Sequence, residues 1–164
     1  MRTSGAAWIA LLAIASVLTG CAGGGGGGGG GGTPRPACKP PPGGPTISFG
    51  STIQPIFSAS CALAGCHVGP VPTGNLDLTP GASYRQSVGV PAQQVPRLKR
   101  VKPGDPDASY LVQKIEGAPG LSPMPPGCQG QPCGSSGNNG ARCLCPDEIA
   151  AIRQWILECA PNNP

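Results

Sequence analysis

The segment Cys61-Ala62-Leu63-Ala64-Gly65-Cys66-His67 gathers two thiols and an imidazole in one short stretch, with four residues between the cysteines. Thiolates and neutral imidazole are metal ligands, and a thiol is also a nucleophile and a disulfide partner. Taken alone, the cluster is open to several chemistries. Cys61 and Cys66 pair with each other or with other cysteines, leaving His67 at the surface, or the cluster holds a metal cofactor. Structural zinc fits less well, because it prefers four ligands in closely spaced cysteine pairs. The chain has one His and nine Cys, with no obvious orienting partner for a Cys/His nucleophile. The second soft ligand candidate is Met124, followed by Pro125; the other methionine is Met1.

Composition limits the elements that can position these residues. Of 164 residues, 28 are Gly and 22 are Pro, so much of the chain suits neither helix nor strand interiors. Aromatic residues at 4% and charged residues at 11% exclude a disordered polyelectrolyte and a coiled coil, and argue against a large aromatic core. One small domain is left, and a core of this size needs disulfides, a bound cofactor or both. A net charge of +4 is too small to indicate nucleic acid. No phosphate-cradling loop, hydrolase nucleophile elbow or zinc-protease helix is present.

The start of the chain reads as an address. Met1 and Arg2 precede an apolar run through Leu18, the pattern of a signal peptide over residues 1–20. The run falls short of the about 20 apolar residues of a membrane span. Leu18-Thr19-Gly20-Cys21 resembles the lipobox of bacterial lipoproteins. That resemblance makes Cys21 the lipidated N-terminus of the mature protein, stably attached through several acyl chains. Ala22 next to it implies the outer membrane of a Gram-negative envelope, on either its periplasmic or its surface face. Residues 23–32 are all glycine and 33–45 are Pro-rich, so 21–45 reads as a disordered tether and 46–164 as the domain. Such a tether spans roughly 25 to 30 Å on average. An exported domain can keep disulfides.

Within the domain the signals are those of a mainly α fold, with short helices between Gly and Pro. Ser51-Thr52-Ile53-Gln54 has the form of a capping box, with Pro55 in the first turn, and predicts a helix over 52–60 whose apolar face is Ile53, Ile56 and Phe57. Thr79-Pro80 and Asp105-Pro106 predict helices through Val88 and Ile115, the second stopped at Gly117. Pro146-Asp147-Glu148 opens a last helix through Glu158, with Ile149, Ile152 and Ile156 on one face and Trp155 beside them. Residues 121–145 read as a loop.

A Cys, Cys, His cluster ending in Cys-His has the form of a covalent haem attachment site. Two thiols need only reach two vinyl groups on one porphyrin edge while the adjacent imidazole ligates iron, and the wider spacing lets the intervening loop bulge outward. The order of a first helix, Cys61 to His67, Met124-Pro125 and a terminal helix resembles the class I cytochromes c, in the variant with four residues between the cysteines. Ile53-Gln54-Pro55-Ile56-Phe57, Val101-Lys102-Pro103-Gly104-Asp105-Pro106, Ser109-Tyr110-Leu111-Val112-Gln113-Lys114 and Ile152-Arg153-Gln154-Trp155-Ile156 are similar to small exported cytochrome c domains of bacterial surface proteins. The resemblance covers residues 47–160, although the Cys-rich loop after Met124 departs from the simplest members. It implies a small helical domain around one covalent haem c, bound through Cys61 and Cys66. With one His and one Met in the mature chain, the usual six-coordinate iron has only His67 and Met124 as ligands. That pair raises the reduction potential and leaves no vacant site, which suits an electron carrier rather than an enzyme.

Cys38, Cys128, Cys133, Cys143, Cys145 and Cys159 remain as disulfide candidates, with 15 possible connectivities. Cys143 and Cys145 are too close in sequence to be natural partners. Cys38 and Cys159 lie at opposite ends of the domain and meet if the terminal helices cross; the alternative leaves one or both unpaired. Disulfides in the 121–145 loop would brace Met124. Arg97, Lys99, Arg100 and Lys102 form either a basic rim that steers an acidic redox partner or a solvated loop face, unless one of them reaches a haem propionate. The expected function is a lipid-anchored monohaem electron carrier of the cell envelope that meets other redox proteins there. The alternative is a haem-free, disulfide-stapled lipoprotein that binds protein or scaffolds an envelope complex.

Overall fold

The structure, a computed structural model, describes residues 38–164. The expected signal peptide, the lipidated Cys21 and the tether up to residue 37 lie outside the described residues. Four α-helices follow in chain order: α1 Gln54–Ser60, α2 Ser83–Ser87, α3 Tyr110–Ile115 and α4 Pro146–Leu157. Among the described residues, extended backbone pairs only at isolated bridges such as Val88 with Val101 and Lys99 with Ser109. The domain is mainly helical, with long irregular connections and three disulfides.

The first helix starts earlier than its capping-box signal. A π-helical turn, Phe49–Ile53, runs directly into α1, and the cap is Ser48, whose Oγ accepts the Ser51 N–H at 2.9 Å. Gln54 is drawn inward instead of capping: it donates to the Leu78 carbonyl at 3.0 Å and accepts from the Ser83 hydroxyl. The next two helices are shorter than their Pro signals predict. Thr79 turns its hydroxyl to Asp77 Oδ1 at 2.7 Å, and Gly81, at φ +83°, interrupts the chain before α2 begins. Ser109 is fully buried and extended; its Oγ accepts the Lys102 N–H at 2.8 Å, which separates the Asp105-Pro106 turn from α3. The α3 stop after Glu116 is as predicted, sealed by the Ala118 N–H on the Gln113 carbonyl at 2.9 Å. α4 matches its prediction closely, opening with the Cys145 N–H on the Glu148 carboxylate at 2.8 Å.

Packing joins the two ends of the chain. Phe49 meets Phe57, Tyr84 and Trp155 at ring-centroid distances of 6.3, 5.2 and 5.3 Å. Four of the five aromatic residues after the leader thus share one cluster, with Ile53, Ile152 and Ile156 buried around it. Cys38 bonds to Cys159 just past α4, but from an N-terminal arm rather than a helix. That bond holds residues 38–45 to the domain, so the fold begins ahead of the expected boundary at residue 46. The other two disulfides, Cys128–Cys143 and Cys133–Cys145, staple residues 121–145, whose only regular element is a 3-10 turn at Asn138–Gly140.

Glu158 closes the same seam, with only 2% of its surface exposed. Burial raises its pKa, but hydrogen bonds from Gln154, the Thr46 hydroxyl and the Ile47 and Thr46 N–H groups outweigh it and bring the carboxyl down to about 2. A depressed carboxylate contributes stability above its unfolded pKa of about 4.3 and loses it as pH falls through the folded value. Stability should therefore fall between about pH 4.5 and 2. Glu158→Gln should cost about 1–3 kcal/mol at neutral pH and flatten that fall, as read by thermal melts across the range.

Candidate functional site

The site begins where α1 ends. Cys61 is the C-cap of α1, its N–H on the Phe57 carbonyl at 2.9 Å. The chain then turns back on itself: Leu63 N–H donates to the Cys61 carbonyl, Cys66 N–H to that of Leu63, and His67 N–H to that of Cys61, at 2.9, 2.9 and 3.2 Å. Ala64 and Gly65 lie exposed at the tip of this loop. The tip of the loop therefore bulges outward, while Ala62 packs against the core and the ends of the motif stay together.

The segment after it fixes the imidazole. Thr73 N–H bonds the Cys66 carbonyl at 2.8 Å and Leu78 N–H bonds that of His67 at 2.9 Å. His67 Nδ1 lies 3.1 Å from the Leu76 carbonyl, which selects the tautomer protonated at Nδ1 and leaves Nε2 with its lone pair for a metal. Burial lowers the His67 pKa against the hydrogen bonds to Leu76 and Thr73, and the charges of Arg100 and Lys114 push it the same way. The ring is thus held neutral, the state that binds a metal.

Cys61, Cys66, His67 and Met124 all line one cavity of about 380 Å³, within the range of ligand sites. Its walls are mostly apolar, with Leu76, Leu78, Val101, Leu111 and Ile115 among them. Met124 reaches the wall from the loop after α3, its N–H on the Lys114 carbonyl at 2.8 Å and its peptide bond to Pro125 cis. Met124 and Pro125 also line a second cavity, shared with Cys128, Cys143 and Leu144 of the stapled loop. That loop folds back to bring Asn139 and Ala141 into the first cavity, helped by the Asn138 N–H on the Pro126 carbonyl at 2.7 Å. Gly137 allows the approach, since a Cβ there would stand 2.6 Å from the Pro126 carbonyl oxygen and 2.7 Å from Cys128 Sγ.

The cysteines sort cleanly. All six disulfide candidates pair, and Cys143 and Cys145 go to different partners. Cys61 and Cys66 remain thiols, bonded neither to each other nor to the rest. Burial, with the neighbouring Cys66 adding to it, pushes the Cys61 thiol up to about 12. It stays protonated and slow in disulfide exchange. Among the described residues, no three His, Cys, Asp or Glu side chains gather as a metal site. The one buried side-chain polar atom without a partner among the described residues is the Oγ of Ser60, a residue of this cavity's wall.

Two thiols, an imidazole that donates from Nδ1, a thioether and apolar walls make a donor set that fits an apolar metal cofactor. No protein-family model matches the chain, and neither curated proteins nor solved structures give a significant match. The site therefore rests on its own chemistry.

The basic segment divides. Arg97 and Lys99 are exposed, while Lys102 pairs with Asp105, and neither Lys99 nor Lys102 lines the cavity. Arg100 does, with its guanidinium on the carbonyls of Gln86, Gly74 and Asn75 at 2.8, 2.7 and 3.2 Å. The sequence reading missed Lys114, a buried cation of the cavity wall, and Ser60. A signal for Lys114 exists: Tyr110, Leu111, Lys114 and Ile115 form one stripe of α3, and all of them line the cavity.

Proposed function

We propose that this chain is a lipid-anchored monohaem c-type cytochrome that accepts one electron from a donor protein of the cell envelope and passes it to an acceptor protein. The observation that carries the reading is the sorting of the cysteines. Six of the eight described cysteines are locked in disulfides, and the remaining two share an apolar cavity with the only His and the only Met after the leader.

Haem bound here supplies a one-electron iron couple. Cys61 and Cys66 would hold it through thioethers. His67 offers Nε2 to the metal, kept in orientation by the Leu76 carbonyl. Met124 would be the second side chain to hold the metal, and its thioether would raise the potential and leave no site for oxygen chemistry. Leu76, Leu78, Val101, Leu111 and Ile115 line the cavity and would keep water from the cofactor. The anchor at Cys21 is read from the sequence alone.

The test is a visible spectrum of protein exported with and without a cytochrome maturation system. A low-spin c-type spectrum that appears only with maturation is the expected result. A colourless protein in both cases overturns the reading in favour of a haem-free module.

A further inference from the structure

Lys114 is 7% exposed, and among the described residues no carboxylate or hydrogen-bond acceptor meets its ammonium group. Its recorded partner is the Tyr110 ring, 5.8 Å from Nζ to the centroid. Glu116, the nearest acid in sequence, is engaged by Arg153 at 3.0 Å. The ammonium itself is not sealed from solvent, since Ser60 Oγ is the one fully buried polar atom without a partner among the described residues; an apolar body filling the cavity would strip its water, which is strongly unfavourable unless the occupant brings the opposite charge.

The rest of the cavity agrees. Among the described residues no Asp or Glu lines it, and Arg100 is its other cation. Arg100 already donates to three backbone carbonyls, which makes it a strut of the wall, whereas Lys114 donates to none.

We propose that Lys114 is the counter-ion of a carboxylate side chain of the porphyrin, with Arg100 adding positive field to the same cavity. This rests on the haem reading above. An ammonium in apolar surroundings forms a strong charge-assisted hydrogen bond with a carboxylate. The pairing satisfies both groups at once, so Lys114 is a positioning residue for the cofactor rather than an iron ligand.

Wild type, Lys114→Arg and Lys114→Met are exported beside a working maturation system. They are compared by resonance Raman spectroscopy in the porphyrin carboxylate-bending region, with covalent haem counted on denaturing gels. The expected result is an ion-paired bending band in wild type, kept in Lys114→Arg and shifted to lower frequency in Lys114→Met, at equal haem content and unchanged axial ligation. Bands that coincide in all three overturn the role of Lys114 and leave the haem reading standing. Loss of the sixth-ligand signature in Lys114→Met makes Lys114 a metal ligand and also overturns the proposal. Wild type without haem overturns the haem reading itself, and this proposal with it. Where Lys114→Met does not accumulate, the wild-type band decides, and an unpaired frequency there overturns the pairing.

Discussion

Replacing Cys61 and Cys66 together by alanine should abolish covalent haem, leaving a denatured protein that no longer stains for it. In the proposed reading the two thiols are the attachment points, and the six other described cysteines are already closed in disulfides and cannot substitute. Folding should suffer as well. Four of the five aromatic residues after the leader lie in the cluster around Phe49, and the cavity walled by Leu76, Leu78 and Val101 has no side chain to fill it. An unfilled cavity of this kind costs several kcal/mol, on the order of a large-to-small core substitution. The double variant should thus accumulate less and melt lower than wild type. An unchanged haem stain in the double variant would show that attachment lies elsewhere.

Met124→Ala should have the second-largest effect, and a different one. Attachment depends on Cys61, Cys66 and His67, so the variant keeps its haem. Thioether ligation favours reduced iron, and axial ligands shift haem potentials over about 0.8 V. The midpoint potential should fall by on the order of 0.1 V or more. The weak near-infrared band of ferric iron bound to sulfur should vanish, and the iron should become open to cyanide or carbon monoxide. Lys99 and Lys102 are poor rivals for the position, the first exposed and the second paired with Asp105 outside the cavity. Lys114 is the lysine in the wall. If the spectra and potentials of wild type and Met124→Ala coincide, Met124 is loop packing, and the high-potential carrier loses its main support.

The elements legible in the sequence are those whose signals are local. Pro146-Asp147-Glu148 opens α4, and the 3.6-residue spacing of its isoleucines carries it to Leu157. The Cys61 to His67 turn is legible because closing it needs only backbone bonds within the motif. What escaped is set by distant partners. Gln54 leaves its capping role for Leu78 and Ser83, and Ser109 leaves the helix register for Lys102. Cysteine counting reduces the disulfides to 15 patterns, and only the folded chain selects one. Lys114 escaped because a lone lysine on a short helix reads as solvated until the helix is seen against Met124 and the cavity.

The most direct measurement is the intact mass of the exported wild-type protein, denatured without reductant in the presence of an alkylating agent. The account predicts one haem increment and no alkylated cysteine, because Cys61 and Cys66 would be thioethers, Cys21 would carry the lipid, and the six remaining cysteines are in disulfides. A mass without haem, whether Cys61 and Cys66 are both alkylated or joined in a fourth disulfide, would contradict it.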